Sequence, residues 1–377
     1  MPELTITTIQ SIREIAAKDW DALLEPDDAP FLRHAWLASL EDARCVVPDV
    51  GWLPQHVVIR RGDELVAVAP AYVKGNSEGE FVFDHGWARY AERVGKTYYP
   101  KLIVAIPFTP ATGRRLLVAK GESRDEMEKL LAAAIAKVAE QLELSSAHVL
   151  FPTAREAEAL ASFGYLPRLG VQFHWRNRGY RTYDDFLASF NSKRRHQLKR
   201  ERRVVEESGI ATRTFRGKDI GQRELDAWEA FYLSTVERFY PWTKQYLNRT
   251  FFELVVERMP DAIEIVLAEE SGEPIAGAFN VAGTKRLYGR HWGTKVERPF
   301  LHFHVCYYHG IEECIARGLE VFEPGAGGEH KLPRGFEPTL THSAHVVRDL
   351  KLRRAVASAL DEERRLVLAE VGTAGEE

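Results

Sequence analysis

A chain of 377 residues, 45% hydrophobic and 28% charged, has the composition of an ordinary globular protein and the length for two cores. That excludes wholesale disorder, and a net charge of -4 excludes a surface that binds nucleic acid over its whole area, though not a local basic patch. Three cysteines without CxxC spacing, Cys45, Cys306 and Cys314, exclude a disulfide framework and a zinc knuckle; the last two read as small core residues on one helix face.

Met1 to Ile12 has neither the basic start nor the apolar stretch of a leader, and no segment approaches the roughly 20 apolar residues of a membrane span. A cytoplasmic protein with no integral membrane segment is expected. The pattern predicts a strand at Leu4–Thr8 and a helix from Pro30 to about Asp42, with proline in the first turn. Strands Gln55–Arg60 and Leu65–Val73 flank the turn Arg61-Gly62-Asp63-Glu64, and Lys101–Phe108 reads as another strand. Met127, Leu130, Leu131, Ala134, Ile135, Val138 and Leu142 recur at three- and four-residue intervals and predict a helix over Arg124–Leu142. A strand at His148–Phe151, a helix over Thr153–Phe163 closed by Gly164, and a strand at Val171–Asn177 complete this half.

The second half repeats that order. Strands are predicted at Glu264–Glu269 and Pro274–Ala282 across Ser271-Gly272, then at Arg286–Thr294. A helix follows from Pro299 to Arg317, then a strand at Leu319–Glu323, the bend Gly325–Gly328, a strand near His342–Val347 and a helix over Asp349–Glu370. Between the halves, a helix over Tyr183–Ser208 carries seven cations and one anion from Ser192 to Arg203. The expected division is 1–180, a basic helical segment 181–210, and 211–377 with its C-terminal helix.

A splayed hairpin before strand, helix and strand is the order of the GNAT acyltransferase fold. Particular strings sharpen the likeness: Tyr98 to Lys101 with Val104 to Gly113, Gln172 to Trp175 with Asn177, Gly179 and Tyr180, and Pro299 to Phe303 with Cys306, Tyr307 and Tyr308. It continues through Glu323 to Lys331, Arg334 to Phe336 and Ser343 to His345. Together they resemble the bacterial "peptidoglycan biosynthesis/recognition" family, a FemAB-like branch of the GNAT clan. The resemblance implies an α+β fold of two tandem GNAT-like (acyl-CoA N-acyltransferase) domains joined by a basic helical segment. It also implies an N-acyltransferase, with aminoacyl-tRNA as donor and an amine of a peptidoglycan precursor or related small peptide as acceptor. The alternatives are an acyl-CoA-dependent N-acetyltransferase on a small amine, and a non-catalytic module that recognises cell-wall peptide or RNA.

Transfer to an amine needs a base and donors for the oxyanion. Glu329 and His330 are candidate bases and Glu323 a further catalytic candidate, with N–H groups of the glycine turn as oxyanion donors; a purely structural turn is the other reading. Lys331, Arg334, His345, Trp175, Tyr99 and Lys101 are expected substrate contacts. Trp87, Tyr98, Phe173, Tyr240, Trp242, Tyr288 and Trp292 add aromatics that belong to a cleft or to the core. Lys193, Arg194, Arg195 and Arg200 are candidates for phosphate, against a solvated helix face. Arg114 and Arg115 after Thr112-Gly113 are a weaker anion site. No glycine-rich pyrophosphate loop is present: the second half offers Lys295-Val296-Glu297-Arg298-Pro299, with an acid and no glycine. The histidines between His302 and His345 lack metal-ligand spacing, so no metal is expected, nor DNA as a partner.

Overall fold

The computed structural model describes residues 3–240 and 244–374, so Trp242 lies outside the described residues. Contacts divide the chain into two units, Met1–Val171 with Leu340–Glu377, and Gln172–Thr339. Along the first come β1 (Leu4–Ile9), α1 (Ala17–Asp21), α2 (His34–Asp42), β2 (Trp52–Pro54), β3 (His56–Arg61), β4 (Glu64–Ala69) and β5 (Ala71–Lys74). Then follow α3 (His85–Arg93), β6 (Lys101–Val104), β7 (Leu117–Val118), α4 (Arg124–Gln141), β8 (Ser146–Leu150), α5 (Ala154–Ser162) and β9 (Leu166–Arg176), which leads into the second unit.

The second unit contains α6 (Tyr183–Ala188), α7 (Ser192–Glu207), β10 (Ile210–Arg216), α8 (Gln222–Arg238), α9 (Arg249–Arg258), β11 (Ile263–Glu270), β12 (Glu273–Ala282) and β13 (Arg286–Thr294). There α10 (Leu301–Phe303), a π-helical stretch His304–Tyr308 and α11 (His309–Arg317) run on without a break as far as Gly318, and β14 (Val321–Glu323) follows. Strand β15 (Glu337–Val347) returns the chain to the first unit, which α12 (Leu350–Ala374) completes.

In the first unit β1, β3, β4 and β7 form one antiparallel sheet. A second sheet pairs β2 with β5, β5 with β6, β6 in parallel with β8, and β8 with the end of β15. Most of the predicted stripe of α4 is buried: Met127, Leu131, Ala134, Ile135 and Val138 pack against Val57, Ile59, Leu102, Val104 and Val149, with Leu130 partly buried, whereas Leu142 lies past the helix end and is exposed. Fully burying each such side chain contributes about 1.5–3 kcal/mol.

The division differs from the expected one at two places. The far end of β15 pairs Ser343–Val347 with Leu150–Ser146, and Leu352, Val356 and Leu360 of α12 pack on Trp87, Ala91 and Tyr98. Both elements therefore belong to the first unit, not to a domain 211–377. Helix α7 is part of the second unit's body rather than a separate segment, because Leu198, Glu201 and Val205 are buried within it.

The second unit's sheet runs β10, β11, β12 and β13 antiparallel, β14 parallel to β13, and then the end of β9. Across it lies α8, whose fully buried Trp228 stacks on Phe279 with ring centroids 5.6 Å apart. The close approach depends on Gly293, where an added Cβ would lie 1.8 Å from the carbonyl oxygen of Phe231. Gly293→Ala should cost about 1–3 kcal/mol, the penalty of overpacking, in chemical denaturation. Gly86→Ala in α3, which meets nothing within 4 Å, should cost nothing and gain up to about 1 kcal/mol of helix propensity.

Candidate functional site

Strands β13 and β14 pair only over Arg286–Tyr288 and Val321–Glu323. There β14 stops and turns at Pro324-Gly325, while β13 runs on to Thr294 beside β12. The two strands therefore part. On its other side β13 is bulged: Phe279 faces His291 and Asn280 faces Gly289, leaving Arg290 as the extra residue. Bulges of this kind re-aim a side chain, and they gather near active sites. At Gly289 an added Cβ would lie 3.3 Å from Phe322 and Pro324, so the strands meet here in tight contact.

The opening holds a cavity of about 80 Å³, lined by Asn280 of β12, by Arg290, His291 and Trp292 of β13, and by His302, Cys306 and Tyr307 of the helix. Tyr307 and Cys306 come from the π-helical stretch, whose extra residue per turn is often found at functional sites. Burial pulls the Arg290 guanidinium down to about 10 against the pull of Glu323. Burial, with Arg290 adding to it, brings His291 to about 3; burial and then His330 bring His302 to about 4. The cavity thus presents a cation, two neutral imidazoles, an amide and a phenol.

Just below, Glu323 is buried at 4% exposure and accepts from Arg286 Nη1 at 2.8 Å. Its Oε2 stands 3.8 Å from His174 Nε2 and has no hydrogen-bond partner among the described residues. The following turn passes through Gly325, Gly327 and Gly328, all at positive φ, and Lys331 closes it by donating to the Gly325 carbonyl at 2.6 Å. Burial brings that ammonium down to about 8.

The other sequence candidates fall into several places. His330 and Glu329 are exposed on the turn after the glycines, and His330 Nε2 lies 2.8 Å from Tyr307 Oη. Tyr307 was not among the sequence candidates; an aromatic in the run Cys306-Tyr307-Tyr308 looks like core. Arg334, expected to bind substrate, is 6% exposed and spends its donors inside the fold. It donates to Glu201 Oε2 at 2.7 Å, to Tyr308 Oη at 3.0 Å and to the His330 carbonyl at 2.7 Å, and covers the Phe303 ring. Trp175 is likewise no substrate platform: at 1% exposure it packs against Phe186 and Tyr180.

Lys101, Tyr99 and His345 belong to the first unit, where they are internal. Lys101 is wholly buried and donates to Glu80 Oε2 at 2.7 Å, to Ser77 Oγ at 3.0 Å and to Asp84. Half-buried Tyr99 meets Ser77 Oγ at 2.7 Å. The His345 ring pairs Nδ1 to Nδ1 with His148 at 2.6 Å, with Ser343 and Ser146 on the outer nitrogens. A substrate contact by His345 is ruled out by its 1% exposure. Arg114 and Arg115 are corrected too: Arg114 Nε donates to Asp28 at 2.9 Å, and Arg115 donates to the carbonyls of Leu150 and Ala111. Neither guanidinium faces an incoming phosphate.

The face of α7 is different. Lys193 and Arg200 are exposed and Arg195 half-buried, and among the described residues no carboxylate pairs with these three; Arg194 donates to Gln197. Among the described residues no group of His, Cys, Asp or Glu side chains is placed to hold a metal ion, and no helix is long and apolar enough to cross a membrane.

A family model termed FemAB-like, peptidoglycan biosynthesis/recognition, matches residues 11–377. No curated protein matches the chain. Among solved structures, FemX aligns with a TM-score of 0.54 at 12% identity, over 94% of this chain and 100% of that one. The C-terminal DUF2156 domain of a putative lysylphosphatidylglycerol synthetase from Agrobacterium fabrum gives 0.55 at 9% identity, over 95% and 98%. The shared fold is the expected α+β architecture of two tandem GNAT-like units.

Proposed function

Because the chain belongs to the FemAB-like family, we propose that it is an N-acyltransferase that joins an acyl group to an amine in the cavity of the second unit. The observation that carries this reading is the parting of β13 and β14 around a cavity with a bulged, cationic wall. Parting strands leave backbone N–H and C=O groups of β13 unpaired with β14, and these can hold an extended acyl donor and its oxyanion. Arg290, Asn280 and the neutral His291 add side-chain donors at the same place. An amine on a peptidoglycan precursor or related small peptide is the acceptor that the family description favours.

Two features support aminoacyl-tRNA over acyl-CoA as donor. The loop ahead of α10 carries Glu297 where a pyrophosphate cradle needs uncharged backbone, and its Arg298 is engaged with Glu270 at 2.9 Å. On α7, by contrast, three cations sit in the first turn, where the helix macrodipole disfavours them, and no acid accompanies them. A sequence that breaks a local rule at an exposed place marks a function, here contact with phosphates. Replacing Lys193, Arg195 and Arg200 together by alanine should leave stability within about 0.5 kcal/mol per site. The same change should reduce the salt slope of tRNA binding by about 2–3. An unchanged slope removes α7 from the donor site.

The test of the function is direct. The protein, aminoacyl-tRNA with a labelled amino acid, and a lysine-containing peptidoglycan precursor should yield labelled precursor. Acetyl-CoA replaces the aminoacyl-tRNA in a parallel reaction. Label transferred only from acetyl-CoA selects the acyl-CoA reading, and no transfer from either leaves the recognition module standing.

A further inference from the structure

Resting on the acyl-transfer reading above, we infer that Tyr307 takes the proton from the attacking amine and that His330 carries it out to solvent. Tyr307 lines the cavity with a side chain from the π-helical stretch, and the residue is only 3% exposed. Its Oη meets Nε2 of His330 at 2.8 Å, and His330 is itself exposed. The pair therefore connects the cavity wall to bulk water through one hydrogen bond.

The contact is held from several sides. Phe303 stacks parallel to Tyr307, with centroids 5.9 Å apart and planes at 18°, and its ring lies 5.7 Å from that of His330. Gly328, at φ +95°, lets the turn pass the imidazole; an added Cβ there would lie 2.6 Å from His330 Cε1. Arg334 fixes the His330 carbonyl at 2.7 Å and is in turn anchored by Glu201. The two cavity imidazoles are placed differently. His291 packs against Trp228 and Tyr232 inside the core, and no hydrogen bond among the described residues joins His302 to Tyr307.

The charged and titratable groups around His330 are Lys331 and Arg334 on its own turn, and His302 and Tyr307 from the helix. Burial, then the two cations, lower its pKa, so that near neutral pH the ring is uncharged and Nε2 can accept from the phenol. In the step itself, the amine nitrogen attacks the acyl carbon of the ester or thioester donor. The new C–N bond forms as the bond to the leaving oxygen or sulfur breaks, and the leaving group departs with the electron pair. The ammonium proton passes to Tyr307 Oη while the phenolic proton passes to His330 Nε2. The imidazolium then releases its Nδ1 proton to water, and the leaving group takes one from water.

Tyr307→Phe and His330→Gln test this, with aminoacyl-tRNA and acetyl-CoA as donors and the lysine-containing precursor as acceptor. Both variants should lower kcat about a hundredfold with KM changed less than about threefold, the share a general base supplies. The acid side of the wild-type pH profile should carry a limb from His330 besides that of the acceptor amine; the His330 limb should vanish in His330→Gln and flatten in Tyr307→Phe. In NMR, the His330 imidazole of Tyr307→Phe should titrate at a different pH from the wild type, a readout that needs no activity, while an unchanged urea midpoint reports that the fold is retained. A Tyr307→Phe enzyme with an unaltered His330 limb, or an unshifted His330 titration, overturns the relay while leaving acyl transfer intact. Absence of transfer by the wild type overturns both.

Discussion

Glu201→Ala should destabilise the second unit by about 3–5 kcal/mol, the cost of leaving a buried cation without its partner. Glu201 is 3% exposed on the inner face of α7, and its Oε2 accepts from Arg334 Nη2 at 2.7 Å and from Tyr308. Removing the carboxylate leaves the guanidinium over Phe303 with only a phenol and a carbonyl as partners. Replacing both residues, Glu201→Met with Arg334→Met, should cost less than either single change, because no uncompensated charge remains. Equal losses in the single and double variants, measured by urea denaturation, show that packing and not charge is lost. Because Arg334 also holds the His330 carbonyl, the single variant should lose transfer activity at temperatures where it is still folded.

What the sequence revealed of this site, and what it hid, follows from the range of the interactions. The hairpin across Ser271-Gly272, the strand Arg286–Thr294 and the stripe of α4 depend on neighbours a few residues away, and all three were legible. Helices α8 and α9 went unpredicted although the same spacing is present in them: Leu225, Trp228, Phe231 and Tyr232, and Phe251, Phe252 and Val255, recur at three- and four-residue intervals, but as largely aromatic sets they read for a cleft or core rather than for a helix face. The placement of β15 and α12 in the first unit depends on a strand pairing across almost two hundred residues, which no local pattern encodes. Among the site residues, Glu329, His330 and Lys331 drew notice as charges beside glycines. Tyr307 did not, since its function rests on a hydrogen bond to a turn 23 residues away. Arg114, Arg115 and Arg334 misled for the converse reason: a cation is visible in sequence, but the carboxylate or carbonyl that consumes its donors is not.

Lys101→Met should be as costly as the loss of Glu201, about 3–5 kcal/mol near neutral pH, and its cost should depend on pH. The ammonium is wholly buried on β6 between Glu80 and Asp84, and its loss strands two carboxylates. Those two respond to their surroundings in opposite ways. Burial raises Glu80 to about 7 despite the pull of Lys101, whereas for Asp84 the effect of burial is outweighed by Lys101, then His148 and Ser77, leaving it at about 2. Asp84 therefore stabilises the fold above about pH 3.8, a contribution lost as pH falls through about 2. Glu80 works with the other sign. Between about 4.5 and 7 the native state holds a proton that the unfolded state has released, so its contribution is full below 4.5 and is lost as pH rises to 7. Lys74, brought down to about 7 chiefly by burial, adds a loss as pH falls from 10.5 to 7. Glu80→Gln should accordingly gain on the wild type by up to about 3 kcal/mol between pH 4.5 and 7, read from urea midpoints across that range. Parallel curves for the two proteins show that Glu80 is already charged in the native state at pH 5. In Lys101→Met, whose stranded carboxylates protonate more readily, the deficit should shrink as pH falls toward 5, whereas a defect of packing alone stays constant.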